Sequence, residues 1–151
     1  MLVYRVGKEI YSRDLNGMGA KLYGGRWNNV GIACIYTSQS RALALLEYSV
    51  NVENNLMPAS LCFTTIEIQD DLIEEISIDN LPHNWKSIPT SSTSKIFGTE
   101  KLAQSSFPIL RFPSVIIPSE FNYILNVSRL NELNPKIVSV EKYDYDYRIK
   151  R

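Results

Sequence analysis

Histidine and cysteine are scarce in this chain, with one histidine, His83, and two cysteines, Cys34 and Cys62, among 151 residues. A single histidine excludes a histidine-rich zinc site and disfavours a Ser-His-Asp triad. The two cysteines lie in separate apolar runs, form no CxxC pair and are too few for a disulfide framework. We therefore expect no metal site and a reducing, cytoplasmic setting. Any chemistry then depends on Arg, Glu, Tyr, Ser and Asn side chains.

Net charge is also lacking, because 16 basic and 16 acidic residues balance to a formal charge of zero. The excess of positive charge typical of a dedicated nucleic-acid binder is absent, so we expect no direct nucleic-acid contact. No apolar run approaches the ~20 residues that cross a bilayer. The N-terminus lacks the basic start and apolar stretch of a signal peptide. We expect neither a membrane contact nor export.

The length and a hydrophobic content of 44% predict one domain spanning 1–151. Residue patterns predict short strands at 2–6, 32–36, 61–68, 72–78, 114–117, 122–126 and 137–145. They predict helices at about 38–50, capped by Ser38 or Ser40, and at about 94–103, after a long connection from 80 to 93. Strands and helices do not alternate regularly, which favours an α+β domain with a mixed or mostly antiparallel sheet and a few helices.

Five of the seven glycines lie between positions 17 and 31, and this density predicts a loop. The spacing fits neither a Walker loop nor a Rossmann fingerprint. Glycine lets a ligand approach the backbone closely, while Arg26 and Trp27 add a fork of donors and an aromatic plane. That mixture suits a ligand bearing phosphate and a base. A tight loop whose Trp27 simply fills the core is an equally weighted alternative.

Three further residues stand out by position. Glu47 falls in the apolar stripe of the predicted helix, and its neighbours four positions away, Leu43 and Asn51, carry no positive charge. A carboxylate kept there points to a distant partner or a function, although a glutamate at the edge of the stripe could reach water. Tyr36 ends a predicted strand, and Arg5 lies in an apolar one. A packing tyrosine and an outward-facing arginine are the alternatives for these two.

Several short motifs follow one another along the chain. They are Tyr4-Arg5, Leu15-Asn16-Gly17-Met18-Gly19-Ala20, Gly24-Gly25-Arg26-Trp27-Asn28, Ile35-Tyr36-Thr37-Ser38, Ala42-Leu43-Ala44-Leu45-Leu46-Glu47, Leu110-Arg111-Phe112-Pro113-Ser114, Pro118-Ser119-Glu120-Phe121-Asn122-Tyr123 and Asp146-Tyr147-Arg148. In this order they resemble the RES domain, the toxin of RES–Xre toxin–antitoxin pairs. The resemblance covers essentially the whole chain.

The resemblance implies a fold like that of diphtheria-toxin-type ADP-ribosyltransferases, with NAD+ as substrate and no other cofactor. It further implies an enzyme that cleaves the nicotinamide–ribose bond as a glycohydrolase or phosphorylase, depletes NAD+ and inhibits growth. A mono-ADP-ribosyltransferase acting on a host protein is the alternative. A binding module without turnover is a third class, which the joint presence of Arg5 and Glu47 disfavours.

The resemblance also implies site residues, since the family is named after Arg, Glu and Ser. Carried over, these are Arg5, Glu47 and a serine of the 91–94 run, taken as Ser92; with Tyr36 they form the predicted catalytic set. The predicted NAD+-binding residues are Gly25, Arg26, Trp27, Asn28, Ser114 and Asn122. Ser114 is a second candidate for the named serine. Asn51 stands where several relatives carry a histidine, so no proton transfer by that histidine is available.

The implied partner is an Xre-like antitoxin with a DNA-binding helix-turn-helix domain, whose C-terminal tail would block the NAD+ cleft. The resemblance also allows for a homodimer of the toxin within such a complex. Cleaving nicotinamide from ribose releases a neutral amide, so the reaction needs little acid catalysis. Arg5 and Arg26 suit the pyrophosphate, and Glu47 suits the ribose and its developing positive charge.

Overall fold

Seven strands form one mixed sheet in the computed structural model, which describes residues 1–150. In chain order they are β1 (Leu2–Gly7), β2 (Cys34–Ser38), β3 (Ser60–Glu67), β4 (Ile73–Glu75), β5 (Ile109–Pro113), β6 (Phe121–Asn126) and β7 (Lys136–Asp144). Across the sheet the order is β4-β5-β6-β2-β1-β3-β7, and only β4 and β5 run parallel to each other. The predicted α+β class with a mixed sheet is confirmed.

Within residues 1–150, four α-helices accompany the sheet: α1 (Met18–Tyr23), α2 (Arg41–Asn51), α3 (Ser92–Gln104) and α4 (Leu130–Leu133). The two predicted helices correspond to α2 and α3. Ser40 caps α2, because its hydroxyl accepts a hydrogen bond from the Leu43 amide at 3.1 Å. In this part of the chain no helix combines the length and the apolar character needed to cross a membrane.

The sheet is divided into two halves between β1 and β2. These neighbours share a single residue pair, Tyr4 with Ser38. By contrast, β1 pairs with β3 from Leu2 to Gly7, and β2 pairs with β6 from Cys34 to Ser38. After their shared pair β1 and β2 diverge and leave a gap in the sheet, while each strand stays fully paired on its outer side.

Helix α2 lies over this divide and is held at its C-terminal end by the tail of the chain. Lys150 Nζ donates to the carbonyls of Ser49 and Val52 at 2.8 and 2.5 Å. A positive charge at this end also interacts favourably with the helix dipole. The Tyr145 hydroxyl donates to Ser49 Oγ at 3.0 Å. The last residues of the chain therefore position the helix that carries Glu47.

An aromatic cluster forms the core under α3. Trp27 stacks on Phe112 with ring centroids 4.2 Å apart, and Trp85 stacks on the same indole at 6.4 Å. The α3 backbone approaches this cluster at Gly98, where an added Cβ would lie 2.1 Å from the Trp27 carbonyl oxygen. A glycine is required at this point, since any side chain would overlap the backbone of the 24–28 segment.

The glycine-rich stretch is not a continuous loop as predicted, because α1 forms inside it. Gly17 precedes the helix with a φ of 64°, and Gly24 ends it with a φ of 71°. Left-handed conformations of this kind favour glycine. Most of the glycines thus lie at the ends of α1 and beyond it, and only Gly19 lies within it.

The strand predicted at 114–117 is also wrong. The strand is β5, which ends at Pro113, and the Ser114 hydroxyl accepts hydrogen bonds from the amides of Ile116 and Ile117 at 3.1 and 3.2 Å. These bonds close a turn toward β6. The short α4 was not predicted, and β2 begins two residues after the predicted strand at 32–36.

Two glycine-to-alanine changes within helices test the packing of α3. Gly98→Ala should lower the free energy of unfolding by about 2–3 kcal/mol, the cost typical of overpacking. Gly19→Ala is the matched control, because nothing lies within 4 Å of its added Cβ. Alanine there should stabilise α1 by up to about 1 kcal/mol. Urea unfolding measures both, and a Gly98→Ala protein as stable as the wild type would contradict the packing.

Candidate active site

A cleft of about 500 Å³ opens where β1 and β2 diverge, a volume ordinary for a ligand site. Arg5 of β1 and Tyr36 of β2 line its two walls. Tyr48 of α2 also lines it, and so do Tyr11 and Tyr23 from the segment that connects β1 to β2. The gap in the sheet therefore becomes a pocket with an arginine on one side and tyrosines around it.

Arg5 is held by backbone carbonyls. Its guanidinium donates to the carbonyl oxygens of Asp14, Tyr11 and Ser12 at 2.8, 3.2 and 3.1 Å. Burial lowers the pKa of Arg5 from its ordinary value, and the charge of Asp14 opposes that shift. The side chain stays charged at neutral pH, since arginine keeps its proton in proteins. The alternative of an outward-facing Arg5 is wrong, because the side chain turns to the loop that borders the cleft.

Tyr36 is fixed at its hydroxyl. The oxygen donates to Asn28 Oδ1 at 2.6 Å and accepts from the Trp27 amide at 3.0 Å. A Cβ on Gly25 would lie 2.7 Å from this oxygen, so the backbone approaches the phenol where only glycine fits. Burial raises the pKa of Tyr36 well above its ordinary value, and the neighbouring Cys34 adds to the shift. Burial also raises the pKa of the Cys34 thiol, to about 12, so both groups stay neutral.

The predicted ligand contacts by Trp27 and Asn28 are not what the structure shows. Trp27 is buried in the aromatic cluster, and Asn28 is fully buried. The Asn28 amide donates to the carbonyls of Ala20 and Ile32 at 2.8 and 3.1 Å. Both side chains hold the 24–28 segment in place, as the alternative interpretation of this loop anticipated for Trp27. Neither residue lines the cleft, and they contact its wall through the Tyr36 hydroxyl.

The helical pattern suggested a Glu47 carboxylate without partners, but the structure gives it two hydrogen-bond donors. Its Oε1 accepts from Ser114 Oγ and from Asn122 Nδ2, each at 2.7 Å. Asn122 Oδ1 in turn accepts from Ser38 Oγ at 2.6 Å. In residues 1–150 both hydrogen bonds to this carboxylate go to Oε1, which leaves Oε2 without a donor. A half-buried carboxylate is thus kept in place by neutral donors while one oxygen stays open.

Arg26 lies near Glu47 without forming a close ion pair in the described part of the chain. Its Nη1 donates to the carbonyls of Trp85 and Ser87 at 2.8 and 3.0 Å. Burial lowers the pKa of Arg26, and the charge of Glu47 acts in the opposite direction. Arg26 therefore fastens the 85–87 segment and lies within electrostatic range of Glu47.

The structure separates the two candidate serines. Ser92 is exposed at the first position of α3, behind Ser91, whose hydroxyl caps the helix. Ser114 is fully buried at the end of β5 and donates to Glu47. The geometry therefore brings Ser114, and not Ser92, to the carboxylate.

Ser38 is the member of this network that the sequence analysis missed. The predicted strand ends at Tyr36, with Ser38 as a possible helix cap, whereas β2 runs to Ser38. Alternate residues of a strand share a face, so these two further residues place Ser38 on the face of Tyr36. Arg5 and Tyr36 line the cleft itself, while the Glu47 network lies beside its closed end, where Ser38 pairs with Tyr4. No group of three or more potential metal-ligating side chains occurs in residues 1–150.

In sequence, the chain is similar to several known proteins. The model of the RES domain family matches residues 2–148. The chain is 36% identical over 141 residues to the Prs ADP-ribosylating toxin of Sphingobium sp. (strain YBL2), covering 91% of this chain and 88% of that protein. It is 35% identical over 153 residues to a protein named Toxin Res from Yersinia enterocolitica serotype O:8 / biotype 1B, covering 99% and 100% respectively.

A solved structure also matches. The crystal structure of the M. tuberculosis MbcT–MbcA toxin–antitoxin complex contains a chain that aligns with a TM-score of 0.76. The alignment covers 95% of this chain and 84% of that chain at 16% sequence identity. At that identity the likeness concerns the fold.

Single serine-to-alanine changes distinguish the two serines. Ser114→Ala should lower the free energy of unfolding by about 1–3 kcal/mol, because it removes a donor to Glu47 and an acceptor for two turn amides. Ser92→Ala, on an exposed side chain, should stay within about 0.5 kcal/mol of the wild type. Thermal and urea unfolding of the two variants provide the measurement. Equal stability of both variants would show that the Ser114 network does not form.

Proposed function

The chain belongs to the RES domain family, and from that premise we propose that it is a toxin that cleaves NAD+ between nicotinamide and ribose. One observation carries this proposal. Arg5 lines a cleft between two half-sheets, and beside the closed end of that cleft Ser114 and Asn122 hold the Glu47 carboxylate. The site thus offers a cation for phosphate and an anion for a developing positive charge.

The cleft suits an anionic dinucleotide. A guanidinium has five N–H donors, and three hydrogen bonds engage those of Arg5. The remaining donors and the charge are available to a pyrophosphate. Lys8 adds a second cation to the lining, and Tyr36 offers an aromatic ring. Aromatic faces and fixed cations are what a ligand with bases and phosphates requires.

Glu47 suits the bond-breaking step. When the C–N glycosidic bond breaks, its electron pair stays on the pyridine nitrogen, and nicotinamide leaves as a neutral molecule. The ribose carbon becomes positively charged, and water or phosphate then forms a C–O bond and releases a proton. A fixed carboxylate stabilises that cation electrostatically without having to move. Glu47 Oε2, which accepts no hydrogen bond from residues 1–150, is the oxygen left for the ribose.

Transfer of ADP-ribose to a host protein is a second candidate function. The observation that favours it is the 36% identity to a relative named Prs ADP-ribosylating toxin. The same carboxylate and cleft would serve either acceptor, because the bond to nicotinamide breaks in the same way. The products therefore distinguish the two functions.

We propose further that an antitoxin covers the cleft. The solved neighbour is a toxin–antitoxin complex, and exposed apolar side chains occur around the mouth of this cleft. Ile10 and Tyr23 are each 79% exposed, and Leu22 and Tyr11 are at least half exposed. Exposed apolar side chains grouped in this way are typical of protein interaction surfaces. An Xre-like helix-turn-helix protein is the partner that we propose.

The principal test compares NAD+ turnover by the wild type and by Glu47→Gln. Glutamine retains an oxygen that can accept from Ser114 and Asn122 but removes the charge, so folding should survive. Turnover should fall roughly 100-fold or more, as for the loss of one preorganised electrostatic group. Mass spectrometry of the products, with and without phosphate, identifies the acceptor. Free ADP-ribose indicates water, phosphorylated ADP-ribose indicates phosphate, and added mass on a protein indicates transfer.

Glu100→Gln is the control for this change, since Glu100 is exposed on α3. It should keep wild-type turnover and stability. A Glu47→Gln protein that melts earlier but keeps its specific activity would make Glu47 structural. An unchanged NAD+ pool with folded wild type would refute NAD+ cleavage.

A charge placed at the mouth of the cleft tests the antitoxin surface. Tyr23→Asp should weaken binding of a co-expressed Xre-like antitoxin by about tenfold or more, because it puts a desolvated charge at the contact. Val138→Asp, on an exposed position of β7, is the matched control and should bind normally. Titration calorimetry measures both affinities. Wild-type affinity in Tyr23→Asp would place the antitoxin elsewhere.

A further inference from the structure

We propose that Ser38 is a positioning residue for the Glu47 carboxylate and that it acts through the side chain of Asn122. This inference rests on the proposed function, in which Glu47 faces the ribose. Ser38 Oγ donates to Asn122 Oδ1 at 2.6 Å, and Asn122 Nδ2 donates to Glu47 Oε1 at 2.7 Å. Ser38 is 4% exposed and makes no direct hydrogen bond to Glu47 within residues 1–150.

The hydrogen bonds run in one direction along this relay. The hydroxyl of Ser38 is the donor to the carbonyl end of Asn122, so the amide end of the same side chain is left to donate onward. Each bond polarises the next, and such chains are stronger than separate bonds. The final acceptor is a charged oxygen, which strengthens the last bond further. The relay therefore holds the Glu47 carboxylate in one orientation.

The sheet fixes the starting point of the relay. Ser38 and Asn122 are directly paired residues on β2 and β6, and Ser38 is also the residue that pairs with Tyr4. Glu47, in contrast, lies on α2, outside the sheet. The relay thus ties a helix-borne carboxylate to the point where the two half-sheets meet, beside the closed end of the cleft.

Asn122 depends on Ser38 for its geometry. Its carboxamide is only half-buried, and free rotation would let it turn toward water. Without the Ser38 hydroxyl, Oδ1 loses its donor and the amide keeps a single hydrogen bond. Glu47 would then depend mainly on Ser114, and the carboxylate could rotate so that Oε2 no longer faces the ribose. Binding of the dinucleotide by Arg5 would be unaffected.

A double-mutant cycle tests this positioning role. Ser38→Ala should lower kcat by about tenfold and leave KM within about twofold, since one hydrogen bond that orients the reacting group is lost. In an Asn122→Ala background the same change should cost nothing further, because the two residues act in one chain. An unchanged kcat in Ser38→Ala, or an additive loss in the Asn122→Ala background, overturns the proposal.

Thr37→Val is the matched control. Thr37 is the adjacent residue of β2, is equally buried, and donates its hydroxyl to the Tyr123 carbonyl on β6 at 2.8 Å. Successive residues of a strand point to opposite faces, so this bond lies away from Glu47. The control should lose stability as Ser38→Ala does and keep wild-type kcat. A tenfold loss of kcat in Thr37→Val would mean that any lost bond between β2 and β6 suffices, and would overturn the proposal.

A second readout separates this inference from the proposed function. The side-chain NH2 signals of Asn122 in a 1H–15N spectrum are identified by their absence in Asn122→Ala. They should shift toward the values of a free amide in Ser38→Ala and stay unchanged in Thr37→Val. If the wild type fails to consume NAD+, the proposed function fails while this shift still tests the relay. Signals that do not move in Ser38→Ala overturn the relay itself.

Discussion

The single pair between Tyr4 and Ser38 is the constraint on which the rest of the molecule depends. β1 keeps its backbone hydrogen bonds to β3, and β2 keeps its backbone hydrogen bonds to β6. The two half-sheets therefore stay intact while β1 and β2 separate. The opening places Arg5 on one half-sheet and Tyr36 on the other. Their separation is therefore a property of the whole sheet, and the pocket forms without breaking the hydrophobic core on either side.

The same arrangement explains why much of the conspicuous sequence is structural. Trp27 and Asn28 lie in the glycine-rich segment, yet both are buried, because this segment packs beneath α3 and against Tyr36. Gly25 allows the phenol to approach, and Gly98 allows the helix to approach. A motif of glycine, arginine and tryptophan therefore does not by itself distinguish a segment that packs in the core from one that binds a ligand.

Local patterns were sufficient for much of the fold and for part of the site. The apolar stripe and a cap at Ser38 or Ser40 predicted α2 and marked Glu47, and the structure shows that Ser40 is the cap. Residue alternation predicted most strands. Turns were predicted less well than strands. The apolar run at 114–117 has the pattern of a strand, but the Ser114 hydroxyl accepts hydrogen bonds from two amides that follow it and closes a turn. The partners of Glu47 lie 67 and 75 residues away, and no local spacing reports such contacts. The family resemblance gave Ser92 as the named serine and Ser114 as the second candidate, and the fold brings Ser114 to Glu47.

Helix α2 connects the chemistry to the stability of the fold. It packs on both β1 and β2, and Arg41 at its start lies over the Tyr4 ring, 4.6 Å from the centroid. At its far end Lys150 binds two of its free carbonyls. The helix is therefore fixed to both half-sheets and to the chain's tail, and it carries Glu47 between these anchors. The position of the Glu47 carboxylate is therefore set by contacts with both strands that border the cleft.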